Sequence, residues 1–522
     1  MVGFAQILSR AETGLAAPLV RVEVHLGAGL PTFNIVGLPA PVVRESKERV
    51  RAALAHCGFA FPAGRITVNL APADLPKEGG RFDLPIALGI LVASGQANPD
   101  CDLARTEFYG ELGLTGELKP VPGLLLAVLH ALREGHALVV PVCNLGELRL
   151  TDARALRGIS WLGDLAGVEG ASVDAEPAAL ASHVASADGM DTFDGLPSLR
   201  RAARAPDLAD VRGQWQAKRS LLIAAAGGHS LLLCGPPGSG KSMLAQRLPG
   251  LLPPLTADEA LEVAAIGAVA RSSVAADGSR PFRAPHHTAS AHAIVGGGAA
   301  IRPGEVSLAH HGVLFLDELP EFDRRVLEAL REPLESGRVS VVRANQRAEY
   351  PAQFQLVAAM NPCPCGRAGQ VRPRCRCLPA QLRRYRARIS GPLLDRIDLQ
   401  LELPAADVDA VVDSRAGAAA ADSLTTTEAA RRVCAARQLQ QRRQQACNAR
   451  LGPEETLRHC AAEAAGMALL REAARRLGHS ARSQHRILRV ARTIADLAGR
   501  ELVLATDMAE ALAFRWSEQG IP

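Results

Sequence analysis

Residues Gly235, Pro236, Pro237, Gly238, Ser239, Gly240, Lys241 and Ser242 follow one another directly. An apolar run, Ser230–Cys234, precedes them, and a helix-compatible stretch, Met243–Leu248, follows. Glycines let the backbone curl so that several N–H groups face one anion. A lysine closing such a curl reaches the β- and γ-phosphates of a nucleoside triphosphate, and the hydroxyl after it can ligate Mg2+. Strand, glycine-rich turn and helix, in that order, are the setting such a loop needs. The chain has only five lysines, Lys47, Lys77, Lys119, Lys218 and Lys241. One of them stands where a forked arginine would be too bulky.

Two carboxylates, Asp317 and Glu318, end the apolar run Val313–Leu316. A buried strand that delivers acids at its C-terminal end suits a Mg2+ site beside a phosphate loop. Asp317 would hold the ion, mainly through water. Glu318 would orient and deprotonate an attacking water. The plainer alternative is a strand running into a solvated acidic turn. Asn361 closes another apolar run, Gln355–Met360, where an amide can position water near a γ-phosphate. Arg396 lies between Asp395 and Asp398. Phosphoryl transfer gains from an arginine supplied by a neighbouring subunit, but a local ion pair with either aspartate fits the sequence as well.

Cys363, Cys365, Cys375 and Cys377 put four thiols within fifteen residues, which suits a tetrahedral Zn2+. Arg367, Arg372, Arg374 and Arg376 surround them and would favour thiolates. Free thiols and thiol redox chemistry remain open. The pairs His286-His287 and His310-His311 have neither i, i+4 spacing nor an evident carboxylate partner, which weighs against a metal there. Seven arginines at 372, 374, 376, 383, 384, 386 and 388 flank Tyr385, a density suited to phosphate or to a subunit interface. The Arg-rich stretch 431–450 reads as a solvated helix face.

The elements that must carry these groups fall into blocks. A length of 522 residues implies two to four domains. A hydrophobic content of 48% with only 3% aromatics implies cores of Ala, Leu and Val. No run approaches the ~18 apolar residues of a membrane span. The N-terminal residues lack a secretory leader, and the cysteines do not form a secreted scaffold, so a cytoplasmic protein is expected. A net charge of +5 permits nucleic-acid binding without demanding it. Residues 1–165 mix strand-like runs (20–25, 65–70, 137–141) with helical ones (42–55, 84–93). Residues 166–205 read as a linker, since no Lys or Arg falls between Arg157 and Arg200. Residues 206–400 alternate strands with helices around a parallel sheet. Residues 401–522 are helical, with N-caps expected at Thr425, Ser480 and Thr506-Asp507.

Read together, these motifs resemble the Mg-chelatase-like branch of the AAA+ ATPases, and within it the YifB/ComM family. The resemblance runs through 235–242, 315–322, 358–366 and 390–398, and extends to 76–87, 110–120 and 480–497. It implies an α/β fold with three parts: a Lon-protease-like α+β domain (1–165), an AAA+ core (206–400) with a cysteine-rich insert (363–377), and a helical lid (401–522). It implies ATP and Mg2+ as ligands. Asn361 then falls at sensor 1, Arg396 at the arginine finger acting on the next subunit's ATP, and Arg482 at sensor 2. A ring follows, a hexamer by family habit. A hairpin over 338–350 carrying Arg343 and Arg347, and a second insert over 287–306, would line its pore and touch single-stranded or branched DNA. The implied activity is helicase or branch migration in recombination during natural transformation; a magnesium-chelatase motor subunit is the alternative. In the Lon-like block Arg81 and Leu125 stand where the protease serine and lysine would be, so no peptidase activity is expected.

Overall fold

Strand Leu19–Gly27 buries Val20, Val22, Val24 and Leu26 and turns the residues between them outward or to the margins. That period of two marks a sheet with one face in a core. The sheet has seven strands in the order Thr32–Val36, Arg65–Ala71, Leu19–Gly27, Gly3–Arg10, Thr106–Phe108, Ala137–Pro141, Leu156–Ile159. The pairs 3–10/19–27 and 19–27/65–71 are antiparallel and the others parallel. Helix Asp83–Ala93, apolar almost all round, fills the core against them, and helix Pro41–His56 packs on it through Val43, Val50, Ala53 and Leu54. The computed structural model describes residues 3–148, 151, 153–165, 206–270, 278–298, 301–343, 346–368, 374–404 and 424–516. The chain divides into two compact units, one of residues 1–199 with 267–276 and one of residues 200–266 with 277–522. The expected linker over 166–205 thus lies outside the described residues.

The second unit is built on a five-stranded parallel sheet, ordered Phe282–Arg283, Val313–Leu316, Gln355–Met360, Leu231–Cys234, Leu399–Glu402. Its three central strands are buried at every residue, as expected for a parallel sheet covered on both faces. Gln355 opens its strand as a buried amide whose Nε2 donates to the carbonyls of Ala224 (2.9 Å) and His229 (2.8 Å). The stretch after the glycine-rich loop is two short helices, Lys241–Ala245 and Leu248–Leu251, in place of one continuous helix.

Helices Thr426–Gln444, Pro453–His459, Ala464–Leu477, Ala481–Leu497 and Ala505–Ala513 form the C-terminal region. Two expected caps are present: Thr425 Oγ1 accepts from Glu428 N–H, and Ser480 Oγ from Ser483 N–H, both at 3.2 Å. The third differs. Leu504 is the N-cap residue of the last helix, and the buried Asp507 carboxylate reaches back to Leu504 N–H at 2.9 Å, while Thr506 is exposed. The Arg-rich helix is also only half solvated. Arg431 and Arg432 stay outside on Glu428, but Arg437 donates to Ala225 O and Arg443 pairs with buried Asp496. Arg437 ties this helix to helix Trp215–Gly227 and Arg443 ties it to helix Ala481–Leu497, because carbonyls and a carboxylate out of water need donors.

The cap assignment gives a direct expectation. Asp507→Ala should lower stability toward denaturant by about 1–2 kcal/mol, whereas Thr506→Ala should stay within about 0.5 kcal/mol, both read from urea unfolding followed by circular dichroism.

Candidate functional site

The glycine-rich loop leaves the C-terminal end of strand Leu231–Cys234. Gly238 and Gly240 have φ of +78° and +84°, the left-handed region that a side chain penalises. Lys241 is buried, and its Nζ donates to Gly235 O (2.6 Å), Pro236 O (2.9 Å) and Asn361 Oδ1 (3.3 Å). Burial lowers its pKa, and the charges of Asp317, Cys234 and Glu318 oppose that. The ammonium thus rests on the loop's own carbonyls, within reach of any anion the loop would cradle. Gln214, on the other side, donates from Nε2 to Ser239 O at 2.6 Å and fixes the loop's outer limb.

Three adjacent strands end around this loop. Strand Val313–Leu316 delivers Asp317, whose Oδ2 accepts from Ser242 Oγ at 2.7 Å. The edge of a Mg2+–oxygen octahedron is about 2.9 Å, so these two oxygens already stand at the spacing of neighbouring ligands. Asp317 Oδ1 accepts from Glu318 N–H at 2.9 Å. Glu318 itself has φ +51°, a conformation that costs an L-residue about 1–2 kcal/mol and that re-aims its side chain. Its carboxylate is half exposed and meets His287 Nδ1 at 3.3 Å. Strand Gln355–Met360 delivers Asn361. Lys241, Ser242, Asp317, Glu318 and Asn361 are therefore brought together.

Arg396 and Arg482 are not part of that group. Leu399 pairs with Leu231, and Glu402 with Cys234, in parallel register. Arg396, three residues before Leu399, lies at the N-terminal edge of the sheet, about 13 Å of strand away from the edge where the loop begins. There Arg396 is buried, donating to Pro392 O (2.7 Å) and pairing with Glu335 Oε1 (2.8 Å). Arg482, in the first turn of helix Ala481–Leu497, meets the same oxygen at 2.7 Å. The Arg396 hydrogen bond holds the Glu335 carboxyl below its usual range. The two flanking aspartates are taken by others: Asp398 by Arg486 and Ser230 N–H, Asp395 by Arg515. Arg396 thus forms its ion pair with Glu335 and with neither flanking aspartate. A cavity of about 760 Å3 opens on this face, with Arg396, Arg482, Arg486 and Arg489 in its wall.

The histidine pairs do have carboxylate partners, contrary to the sequence reading. His287 meets Glu318, while His310 Nε2 (3.0 Å) and His311 Nε2 (2.8 Å) both meet Glu262. His310 Nδ1 accepts from Gln353 N–H, so its Nε2 carries the proton toward Glu262, and burial pushes its pKa down to about 4. The hairpin is present as Arg338–Arg343 paired with Gln346–Pro351. Its turn, and the side chains of Arg343 and Arg347, lie outside the described residues. The second insert contains helix Ala291–Val295 and the pair Gly296–Gly297/Arg302–Pro303, and Tyr350 Oη ties the hairpin to Ile301 O at 2.9 Å. Arg388 reaches the turn after Glu318, at Pro320 O (3.0 Å) and Glu321 (2.6 Å). In the N-terminal unit, Arg81 is buried on Glu12 and Pro122 O, and Leu125 is buried in helix Leu124–Arg133.

The four cysteines converge. Sulfur separations are 3.4 Å (Cys363–Cys365), 3.5 Å (Cys365–Cys375) and 3.7 Å (Cys363–Cys375), and all four sulfurs, Cys377 included, lie within 4.8 Å of one another. The edge of a Zn2+–thiolate tetrahedron is about 3.8 Å. Backbone N–H groups of Arg367 and Ala368 point at Cys363 Sγ, both at 3.2 Å. The donor set therefore fits Zn2+. Hydrogen bonding from the Arg367 backbone brings the Cys365 thiol down to about 6.

Glu335 and His287 were the site residues least visible beforehand. Glu335 stands in no motif and His287 was read only as half of a histidine pair and the start of the second insert; each meets its partner only across the fold. The Ser242–Asp317 spacing yields a test. Ser242→Ala should weaken the Mg2+-dependent part of ADP binding about tenfold and leave Mg2+-free binding unchanged, by titration calorimetry with and without the ion.

Three family models match in succession: "Subunit ChlI of Mg-chelatase" over 22–144, "Magnesium chelatase, subunit ChlI" over 207–411, and "Magnesium chelatase, subunit ChlI C-terminal" over 423–515. Competence protein ComM of Haemophilus influenzae is 45% identical, over 98% of this chain and 98% of its own length. Uncharacterized protein YifB of Escherichia coli is 44% identical, over 97% and 96%. The magnesium-chelatase 38 kDa subunit of Cereibacter sphaeroides is 26% identical, over 31% of this chain and 53% of its own.

Proposed function

The chain belongs to the ComM/YifB family of Mg-chelatase-like AAA+ ATPases, and from that membership we propose that it hydrolyses ATP as a ring-shaped motor on DNA. The observation that carries the ring is the separation of Arg396 and Arg482 from the chain's own Lys241 across the sheet. On this reading the two guanidinia, which cannot reach their own loop, serve a neighbour's. Head-to-tail contacts of that kind close into a cyclic assembly, here a hexamer.

Within each site the loop 235–240 and Lys241 bind the phosphates. Ser242 and Asp317 would hold Mg2+, which would supply charge neutralisation at the phosphates. Glu318 takes a proton from the attacking water and Asn361 orients it. Arg396 and Arg482, from the next subunit, meet charge developing on the γ-phosphate. Cys363, Cys365, Cys375 and Cys377 would hold a structural Zn2+. The N-terminal unit is a structural or DNA-facing module without peptidase chemistry, since an arginine held by Glu12 is no nucleophile and a leucine no base.

Support for DNA as the track comes from the hairpin of Arg338–Pro351 and the insert tied to it by Tyr350, because His287 of that insert contacts Glu318. A strand held by these inserts would thereby be felt at the catalytic carboxylate. The near full-length likeness to a competence protein supports a role in branch migration as incoming DNA recombines during transformation. The likeness to the chelatase 38 kDa subunit covers 31% of this chain, although chelatase family models match along most of it.

ATP turnover measured with and without single-stranded and branched DNA tests this. DNA should raise the rate, and Glu318→Gln should bind ATP yet hydrolyse it about a hundredfold or more slowly. Turnover indifferent to every DNA would favour the chelatase-type motor. Peptide substrates should remain uncut with ATP present, and ATP-stimulated cleavage would contradict the reading of the N-terminal unit.

A further inference from the structure

We infer that the metal held by Cys363, Cys365, Cys375 and Cys377 clamps the phosphate-binding loop, so that the nucleotide site is competent only while those thiolates hold a soft divalent cation. This rests on reading 235–242 as the nucleotide loop. Three observations lead to it.

The first is that the cluster touches the loop. Gly366 lies between the first cysteine pair and the rest, with φ +74°. A Cβ built there would stand 2.6 Å from Pro237 Cδ, so only bare backbone fits against the loop's second proline. The same point is 4.0 Å from the Asn361 amide carbon, and Asn361 takes a hydrogen bond from Lys241. Cys363, fully buried, follows Asn361 by two residues, and Gly366 N–H closes a turn on Cys363 O at 2.9 Å. One short segment therefore carries the water-positioning amide, two sulfurs and the backbone that backs the loop.

The second is that packing alone does not explain the convergence. Only Cys363 is buried; Cys365 is exposed, and Cys375 and Cys377 are half-buried. Thiols are weak hydrogen-bonding groups, so four of them gain little from meeting at the surface. As thiolates they would repel one another. A cation among them reverses that sign, and tetrahedral sulfur selects Zn2+ over the hard ions that suit Ser242 and Asp317.

The third is the pattern of N–H groups aimed at sulfur. Arg367 and Ala368 point at Cys363, and Cys377 N–H points at Cys375 at 3.4 Å. Donors directed at sulfur orient metal-bound thiolates. Binding releases to solvent the proton of each cysteine that is still a thiol, with no change of oxidation state.

The experiment uses the full-length protein as purified. Elemental analysis should find one Zn2+ per chain, and Cys365→Ser and Cys377→Ser should lose it. Affinity for a fluorescent ADP analogue is then measured before and after stripping with a strong zinc chelator. Stripping should weaken it about tenfold or more, with the far-ultraviolet dichroism unchanged, and added Zn2+ should restore it. Gly366→Ala should keep the zinc and still lose affinity. Protein purified without zinc overturns the metal site. Zinc-loaded protein whose nucleotide affinity survives both stripping and Gly366→Ala overturns the clamp. Zinc-loaded wild type that binds no nucleotide at all overturns the reading of the loop itself.

Discussion

Strands Leu231–Cys234 and Leu399–Glu402 run parallel and in register, and this pairing governs what the chain can do alone. A parallel pair sends the residue after one strand and the residue before the other to opposite edges of the sheet. Here the residue after is the start of the glycine-rich loop, and Arg396 stands three residues before the other strand. No rotamer spans that distance. A buried guanidinium must still be paired, and within one chain Glu335 does this for Arg396, while the exposed Arg482 meets the same carboxylate. On the function proposed above, these are two half-sites at opposite edges of one sheet.

The other half depends on strand order. Because Val313–Leu316, Gln355–Met360 and Leu231–Cys234 are neighbours, their C-terminal ends bring Asp317, Asn361 and Lys241 to one place. Ligands of open parallel sheets bind at such ends. The Glu318 backbone turns out of the strand through a left-handed residue and hands its carboxylate to His287. The cysteine segment leaves the same edge directly after Asn361, so Asn361, Cys363, Cys365 and the Gly366 backbone that packs on Pro237 share one short length of chain.

Much of this was legible in the sequence where the chemistry is contiguous. The loop at 235–242, the acids at 317–318 and the cysteine spacing each state a local requirement, and the structure brings the residues of each together. The sheet strands were legible because fully buried strands read as unbroken apolar runs. Partner choice across the fold was not. Arg396 has aspartates on both sides in sequence, yet Asp398 is turned to Ser230 and Arg486, and Glu335 comes from a separate helix. His310 and His311 show no carboxylate nearby in sequence, because Glu262 arrives from the helix Ala257–Ala270. Asp507, not Thr506, caps its helix because a longer side chain at the third position can reach back to Leu504. Such contacts are set by how elements pack, which spacing along the chain does not encode.

The central claim is that each ATP site is shared between two chains, and mixing two inactive variants tests it most directly. Lys241→Ala removes the loop's cation and keeps the arginine; Arg396→Ala does the reverse. Each alone should have little ATPase activity. Randomly assembled at equal ratio in head-to-tail rings, about one interface in four joins an intact loop to an intact arginine, so about a quarter of the wild-type rate should return. A mixture that never exceeds the residual rates of its two parents, with rings formed, would contradict a site built from two chains.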